Sequence, residues 1–338
     1  MSTSPRLEDA KTVRLEFDDN QLLVQLFGSH NSHLARIEQF LEVSLNSRGN
    51  AVTVSGPGDA AKAAFAVLKG LYARLKKGHE VDAQEVDAAL RMAATGGDQR
   101  TSPVDLDELV VRTRKRRITP RSPRQADYLR ALSSHDLVFG LGPAGTGKTY
   151  LAVAKAVEKL VKGEIDRIVL SRPAVEAGEQ LGFLPGDMRD KVDPYLRPLY
   201  DALYDMLPAD QVTKKMETGE IEIAPLAFMR GRTLADAFVI LDEAQNTTQV
   251  QMKMFLTRLG ENARMVVTGD LSQIDLPRGV RCGLLDAVEV LNGVGGVTFV
   301  RFGEEDVVRH HLVARIVHAY GERDAAARNG DGKDVPHD

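Results

Sequence analysis

The 338-residue chain contains one cysteine, Cys282, so no disulfide can form within it. A lone thiol suits a reducing compartment, and the cytoplasm is the expected location. No apolar run is long enough to span a bilayer, and the opening Met1-Ser2-Thr3-Ser4-Pro5 has no signal-peptide pattern. No membrane association is expected. Nor is there a large excess of one charge. A net charge of −4 argues against a protein that holds nucleic acid by bulk charge, but it leaves room for a local basic strip. No internal repeat is present. What remains is an ordinary globular composition, 43% hydrophobic and 27% charged, in a chain long enough for more than one domain.

The chain is organised around Gly142-Pro143-Ala144-Gly145-Thr146-Gly147-Lys148-Thr149, which fits the P-loop pattern. Leu137 to Leu141 before it reads as a buried strand, and Val153, Val157, Leu160 and Val161 after it recur at helical spacing. Strand, glycine loop and helix is the context this motif requires. Glycines let backbone N–H groups converge on an anion, and the helix N-terminus adds partial positive charge. Lys148 can reach the β- and γ-phosphates of ATP, and the Thr149 hydroxyl can ligate Mg²⁺.

Residues 1–98 read as a small α+β unit. Thr12 to Phe17 alternates as a half-buried strand does, and Leu22 to Phe27 is a second apolar run. Gly28-Ser29-His30-Asn31 leads into a helix bearing Leu34, Ile37, Phe40 and Leu41. A strand at Val52 to Val54 and a helix from Ala60 to Lys76 follow, then a helix candidate from Asp82 to Ala94. This order resembles a KH-type RNA-binding module, with Asn31 where such a loop carries its second glycine. Contact with RNA and a role in assembly both remain open for it. Residues 99–124 are expected to be a basic linker. Its arginines and lysines, Arg112 to Arg124, either neutralise phosphates or form a solvated or subunit-packing strip, and no aromatic interleaves them to stack a base.

From Gln125 to about residue 320, strands and helices alternate as in a parallel α/β sheet. The continuous apolar strand Ala237 to Leu241 runs into Asp242-Glu243-Ala244-Gln245. Strand ends of this kind carry ligand sites. Asp242 is expected to hold Mg²⁺ opposite Thr149, and Glu243 to orient and polarise the attacking water. The next strand ends in Thr268-Gly269-Asp270-Leu271-Ser272-Gln273, where Gln273 can feel the γ-phosphate. Residues 321–338 are charged and read as a disordered tail.

The three motifs in this order resemble the motor core of superfamily 1 helicases. Longer stretches are similar to the hallmarks of the PhoH family of P-loop NTPases. They are Ser171-Arg172-Pro173 through Gly186, Asp193 to Asp201, Met229-Arg230-Gly231-Arg232-Thr233-Leu234, and Gln273-Ile274-Asp275-Leu276-Pro277. The chain looks most like the cytoplasmic, YbeZ-like bacterial branch, and the type fronted by a PIN ribonuclease domain does not fit. The resemblance implies a RecA-like P-loop core behind a KH-like α+β domain. It also implies an ATPase acting on RNA, ring-shaped homo-oligomers and a link to a YbeY-type endoribonuclease. One RecA-like core needs a neighbouring subunit to complete its site, so Arg230, Arg232 and Arg309 are candidate fingers acting in trans, and Arg172 can contact phosphate or RNA. Thr119-Pro120 and Gln125 resemble the helicase segment that reads adenine. The family usually has serine at the position of Cys282. The competing reading is a nucleotide-gated assembly module whose slow hydrolysis times the recruitment of an RNA-processing partner.

Overall fold

The computed structural model describes residues 10–94, 109–173 and 188–308. Its first unit is built on a three-stranded antiparallel sheet of β1 (Ala10–Glu16), β2 (Ser44–Arg48) and β3 (Ala51–Pro57), in the order β1-β3-β2. Four helices accompany it: α1 (Asn20–Phe27), α2 (Ser32–Leu41), α3 (Gly58–Lys76) and α4 (Ala83–Ala94). The apolar run Leu22 to Phe27 is therefore the body of a helix. Asp19 caps it, its carboxylate accepting from the amides of Gln21 and Leu22, and Leu23 and Leu26 face the core while Val24 stays exposed. A run of six apolar and polar residues carries too short a period to reveal this from composition alone. Leu34, Ile37, Val52, Val54, Leu68, Leu71, Val86 and Leu90 close one core, so α4 belongs to this unit.

The second unit is a six-stranded sheet in which every pairing is parallel. Its strands are β6 (Leu137–Leu141), β7 (Arg167–Arg172), β8 (Ile221–Pro225), β9 (Ala237–Leu241), β10 (Arg264–Gly269) and β11 (Val297–Arg301). The spatial order is β11-β6-β10-β9-β7-β8, so β10 lies between the strand before the glycine loop and the strand before Asp242. Alternate residues enter two different cores. Val138, Ile168, Ile240 and Val266 pack on one face, and Phe139, Val169, Val239 and Val267 on the other. Both faces are covered, which is why these strands read as unbroken apolar runs.

The basic segment is not a linker from residue 109 onward. Val111–Arg112 (β4) and Arg117–Ile118 (β5) form a two-stranded hairpin whose Val111 and Ile118 are buried in the core of the large unit. Two apolar residues outweigh the surrounding charge because their burial anchors a hairpin whose arginine heads stay in water. The end of the expected α/β region, from residue 309 to about 320, and the tail after it lie outside the described residues. Among the described residues no helix is long and apolar enough to cross a membrane.

Candidate nucleotide site

After α5 (Pro123–Ser134), which carries Gln125 and Tyr128, the glycine loop joins β6 to α6 (Lys148–Lys162), with Gly147 as the residue before the helix. Five of the loop's carbonyl groups are bonded, two of them to Lys148 within the site and the others to α6, to Gln125 and to the chain after β11. Gly142 O and Pro143 O accept from Lys148 Nζ at 2.6 and 2.8 Å. Gly145 O accepts from the Val308 amide at 2.9 Å, and Gly147 O from the Leu151 amide at 2.9 Å. Thr146 O accepts from Gln125 Nε2 at 2.9 Å. A planar peptide carries its N–H opposite its carbonyl, so bracing Gly145 O and Thr146 O from outside the loop turns the Thr146 and Gly147 amides toward its concavity as donors for an anion. Gly142 sits where a Cβ would come within 2.4 Å of Phe302 O, and its φ is 140°, so no other residue fits there.

Lys148, Thr149, Arg172, Asp242, Glu243 and Gln273 share one cavity of about 610 Å³ at the C-terminal edge of the sheet. Asp242 is 4% exposed, and its Oδ1 accepts from Thr149 Oγ1 at 2.6 Å and from Thr268 Oγ1 at 2.7 Å. Glu243 adopts a left-handed backbone, φ 52°, at a non-glycine residue. Such strain costs about 1–2 kcal/mol and persists where the surroundings impose it. Gln245, 1% exposed, imposes part of it. Its Nε2 donates to Glu243 Oε2 at 2.5 Å while its Oε1 accepts from the Asp270 amide at 3.1 Å, so the Glu243 carboxylate is tied to the end of the neighbouring strand. Arg172 faces both carboxylates, 3.9 Å from Asp242 and 3.5 Å from Glu243.

Two tyrosines back the site. Tyr128 is buried beneath the loop strand, and burial first, then the Asp242 charge, pushes its hydroxyl well above the ordinary phenol range. Tyr150, on the first turn of α6, is pushed up to about 12 by burial and by its hydrogen bond to Asp205. Both remain neutral phenols, Tyr150 donating to Asp205 and Tyr128 packing with its hydroxyl unpartnered among the described residues.

Several candidates fall elsewhere. Gln125 is 4% exposed, and its amide is already engaged, Oε1 accepting from the Arg121 amide at 2.7 Å and Nε2 donating to Thr146 O. It braces the loop against the Arg121 backbone through both ends of its amide. Arg232 is held by both oxygens of Glu222, at 2.6 and 2.7 Å, a bidentate pair beside the edge strand β8. Arg230 is exposed beyond β8 and does not line the cavity. Arg309 lies outside the described residues. In the basic run, Lys115 donates to Tyr204 O and Arg116 pairs with Asp205, both at 2.7 Å.

Residue-by-residue reading of the sequence missed Asp270, which is 6% exposed, lines the cavity and leaves Oδ2 without a partner while Oδ1 accepts from Ser272. It also missed Val308, whose contribution is a backbone N–H and leaves no mark on residue type. Cys282 takes the role of a helix cap. Its thiol accepts from the Leu285 amide at the start of Gly283–Val290 and donates to Gln245 O at 3.2 Å.

A glycine loop at the end of one parallel strand, an acidic pair at the end of another and a hydroxyl joining them define a P-loop NTPase. The PhoH-like protein family model matches residues 117–321, and the chain belongs to that family. It is 51% identical to the PhoH-like protein of Bacillus subtilis over 93% of this chain and 98% of that one. The Synechocystis PhoH-like protein is 44% identical over 91% of this chain and 94% of its own length. Protein PhoH of Escherichia coli is 53% identical over 205 residues, 60% of this chain and 58% of that protein.

Proposed function

We propose that the protein is a magnesium-dependent ATPase whose cycle acts on RNA. The observation that carries the ATPase reading is the Thr149–Asp242 contact at 2.6 Å, lying between the Lys148 loop and Glu243. The donor set fits magnesium. Both groups are hard oxygens, and among the described residues no cluster of three or more histidine, cysteine or acidic side chains could cage a metal. Magnesium typically takes one or two protein oxygens and completes its shell with phosphate and water. When bound there it would neutralise charge across the β- and γ-phosphates.

The chain's own groups account for the rest. Lys148 exchanges the Gly142 and Pro143 carbonyls for phosphate oxygens, a stronger, charge-assisted bond. Glu243, aimed by Gln245, orients a water for attack on the γ-phosphorus and takes its proton. The bond to the β–γ bridging oxygen breaks, and ADP leaves with that electron pair. Arg172 holds the two carboxylates apart from each other's charge until the nucleotide arrives.

The RNA arm rests on the βααββα order that opens the first unit, with α4 following it, and on exposed Arg112, Arg114 and Arg117. A homo-oligomeric ring in the cytoplasm is the assembly this reading favours, because Arg230 is exposed beyond β8 and does not line its own cavity. A finger of that kind acting in trans is worth about 10³ to 10⁵ in rate. The second reading, a nucleotide-gated module that recruits a YbeY-type endoribonuclease, draws support from Lys115 and Arg116, which pair at the surface with Tyr204 O and Asp205 of the large unit. The test is steady-state ATP hydrolysis with and without single-stranded RNA, beside Lys148→Ala. Hydrolysis stimulated by RNA and lost in the variant is the expected result. Hydrolysis lost in the variant but indifferent to RNA would favour the gated module, and an unaffected Lys148→Ala would sink both.

A further inference from the structure

The chain after β11 returns across the glycine loop as a short strap. Phe302 donates its amide to Leu141 O at 2.7 Å and sets its ring edge-on to Tyr128, 5.4 Å between centroids. The turn Glu304–Asp306 is pinned by Asp306, 1% exposed, whose carboxylate accepts the Gly303 amide at 2.9 Å. The strap then reaches Val307 and Val308, whose shared peptide group is engaged at both ends. The Val308 N–H donates to Gly145 O at 2.9 Å, and the Val307 carbonyl accepts from Arg91 Nη1 at 3.3 Å. Arg91 sits on α4 of the small unit, with its Nε held by Asp87 O at 3.3 Å. One amide plane therefore links the small unit to the glycine loop.

The position of that link matters because of what Gly145 can do. Its φ is 86°, in the left-handed region where glycine is at ease. The peptides on either side of a glycine rotate more readily than others. A rotation of the Gly145–Thr146 peptide would swing a carbonyl oxygen into the concavity and remove an N–H from it. Both changes oppose an anion. The Val308 N–H is what holds this carbonyl outward, and a cation on the far side of the same amide strengthens its donation by polarising it.

We infer that Arg91 is a positioning residue of the nucleotide loop: through the Val307–Val308 peptide, the small unit sets the affinity of the P-loop for nucleotide. The inference rests on the P-loop reading above. It gives the small unit a part in the nucleotide site whether or not that unit touches RNA, and by linkage a ligand that shifts α4 shifts nucleotide affinity.

The test measures the dissociation constant of a fluorescent N-methylanthraniloyl ATP analogue with magnesium, on the full chain. Arg91→Ala should weaken binding about three- to tenfold, the worth of one hydrogen bond, with the turnover number changed much less. Val308→Pro, which deletes the N–H, should do the same. The double variant should be no worse than either single one, because both remove the same bridge. His79→Ala is the control. It removes a different contact between the units, His79 Nε2 to Arg117 Nη2 at 3.2 Å, and should leave affinity at the parental value. Parental affinity in Arg91→Ala overturns the inference. So does an equal loss in His79→Ala, which would mean that general docking of the units is responsible, or additive losses in the double variant. Should Val308→Pro fail to fold, Arg91→Ala against His79→Ala decides alone. A parent chain that binds no nucleotide, or Lys148→Ala binding like the parent, would instead overturn the ATPase reading.

Discussion

Two glycine-led loops in this chain turn from one element into the N-terminus of a helix, and they are held in opposite ways. Gly28-Ser29-His30-Asn31, between α1 and α2, closes on itself through the Asn31 amide to Gly28 O at 3.2 Å, and His30 and Asn31 both take left-handed backbones. Its residues after Gly28 are exposed. The loop Gly142 to Lys148 is tied to distant segments: the Gly142 amide to Gly269 O on β10, Thr146 O to Gln125, and Gly145 O to Val308. A loop whose shape is local tolerates change around it. One whose shape is imposed from three sides is preorganised for a charge and is sensitive to residues far along the chain. The contrast is consistent with a site for one defined anion and, on the small unit, a surface that adapts to its ligand.

The largest effect should come from chemistry and leave both loops intact. Glu243→Gln keeps the hydrogen bond partner of Gln245 nearly isosteric but removes the proton acceptor. ATP turnover should fall about 10²- to 10⁴-fold while nucleotide affinity stays close to parental. Steady-state turnover beside equilibrium binding separates the two, and a parallel loss of affinity would show that Glu243 shapes the loop.

The next variants probe how strictly the nucleotide loop is imposed. Gly142→Ala places a methyl 2.4 Å from Phe302 O at a φ of 140°. Strain and overpacking together should cost about 3 kcal/mol or more in urea unfolding. Gln125→Leu keeps the volume but leaves Thr146 O and the Arg121 amide without partners in a buried position. It should cost about 1–3 kcal/mol and weaken nucleotide binding in step. Unchanged affinity would remove Gln125 both from support of the loop and from the adenine contact suggested by its resemblance. If both variants were mild, the nucleotide loop would be no more imposed than its counterpart on the small unit, and the comparison would collapse.

Much of this architecture was legible in the residues. Leu137 to Leu141 and Ala237 to Leu241 announce themselves as buried strands, and the positions of Lys148, Thr149, Asp242 and Glu243 follow from the strands that lead into them. What escaped was whatever depends on partners remote in sequence. Gln125 reads as a base reader because its amide carries the right donors and acceptors, yet its nitrogen donates to a loop 21 residues away and its oxygen accepts from the nearby Arg121 amide. Arg232 looked like a finger until Glu222 claimed both its nitrogens. Val111 and Ile118 were hidden among arginines and lysines, although their side chains anchor that hairpin in the core. The Val308 amide could not have been read at all, since a backbone donor belongs to every residue but proline.

The smallest effect expected is the most informative about the small unit. Asn31 sits at φ 58° and ψ 26° with no side-chain cap on α2. Asparagine tolerates this conformation better than alanine, so Asn31→Ala should cost about 1 kcal/mol. Asn31→Gly removes the strain but adds freedom to the unfolded chain, and these offset to within about 0.5 kcal/mol. Stability is therefore nearly fixed by design while the surface changes: the glycine clears a side chain from the exposed loop and restores Gly-x-x-Gly. If the loop receives a sugar–phosphate backbone, RNA affinity should rise in Asn31→Gly and its salt dependence should steepen, while nucleotide affinity stays put. RNA binding that ignores the substitution would remove this loop from the RNA path. The small unit would then have as its clearest role the one argued through Arg91, support of the nucleotide loop.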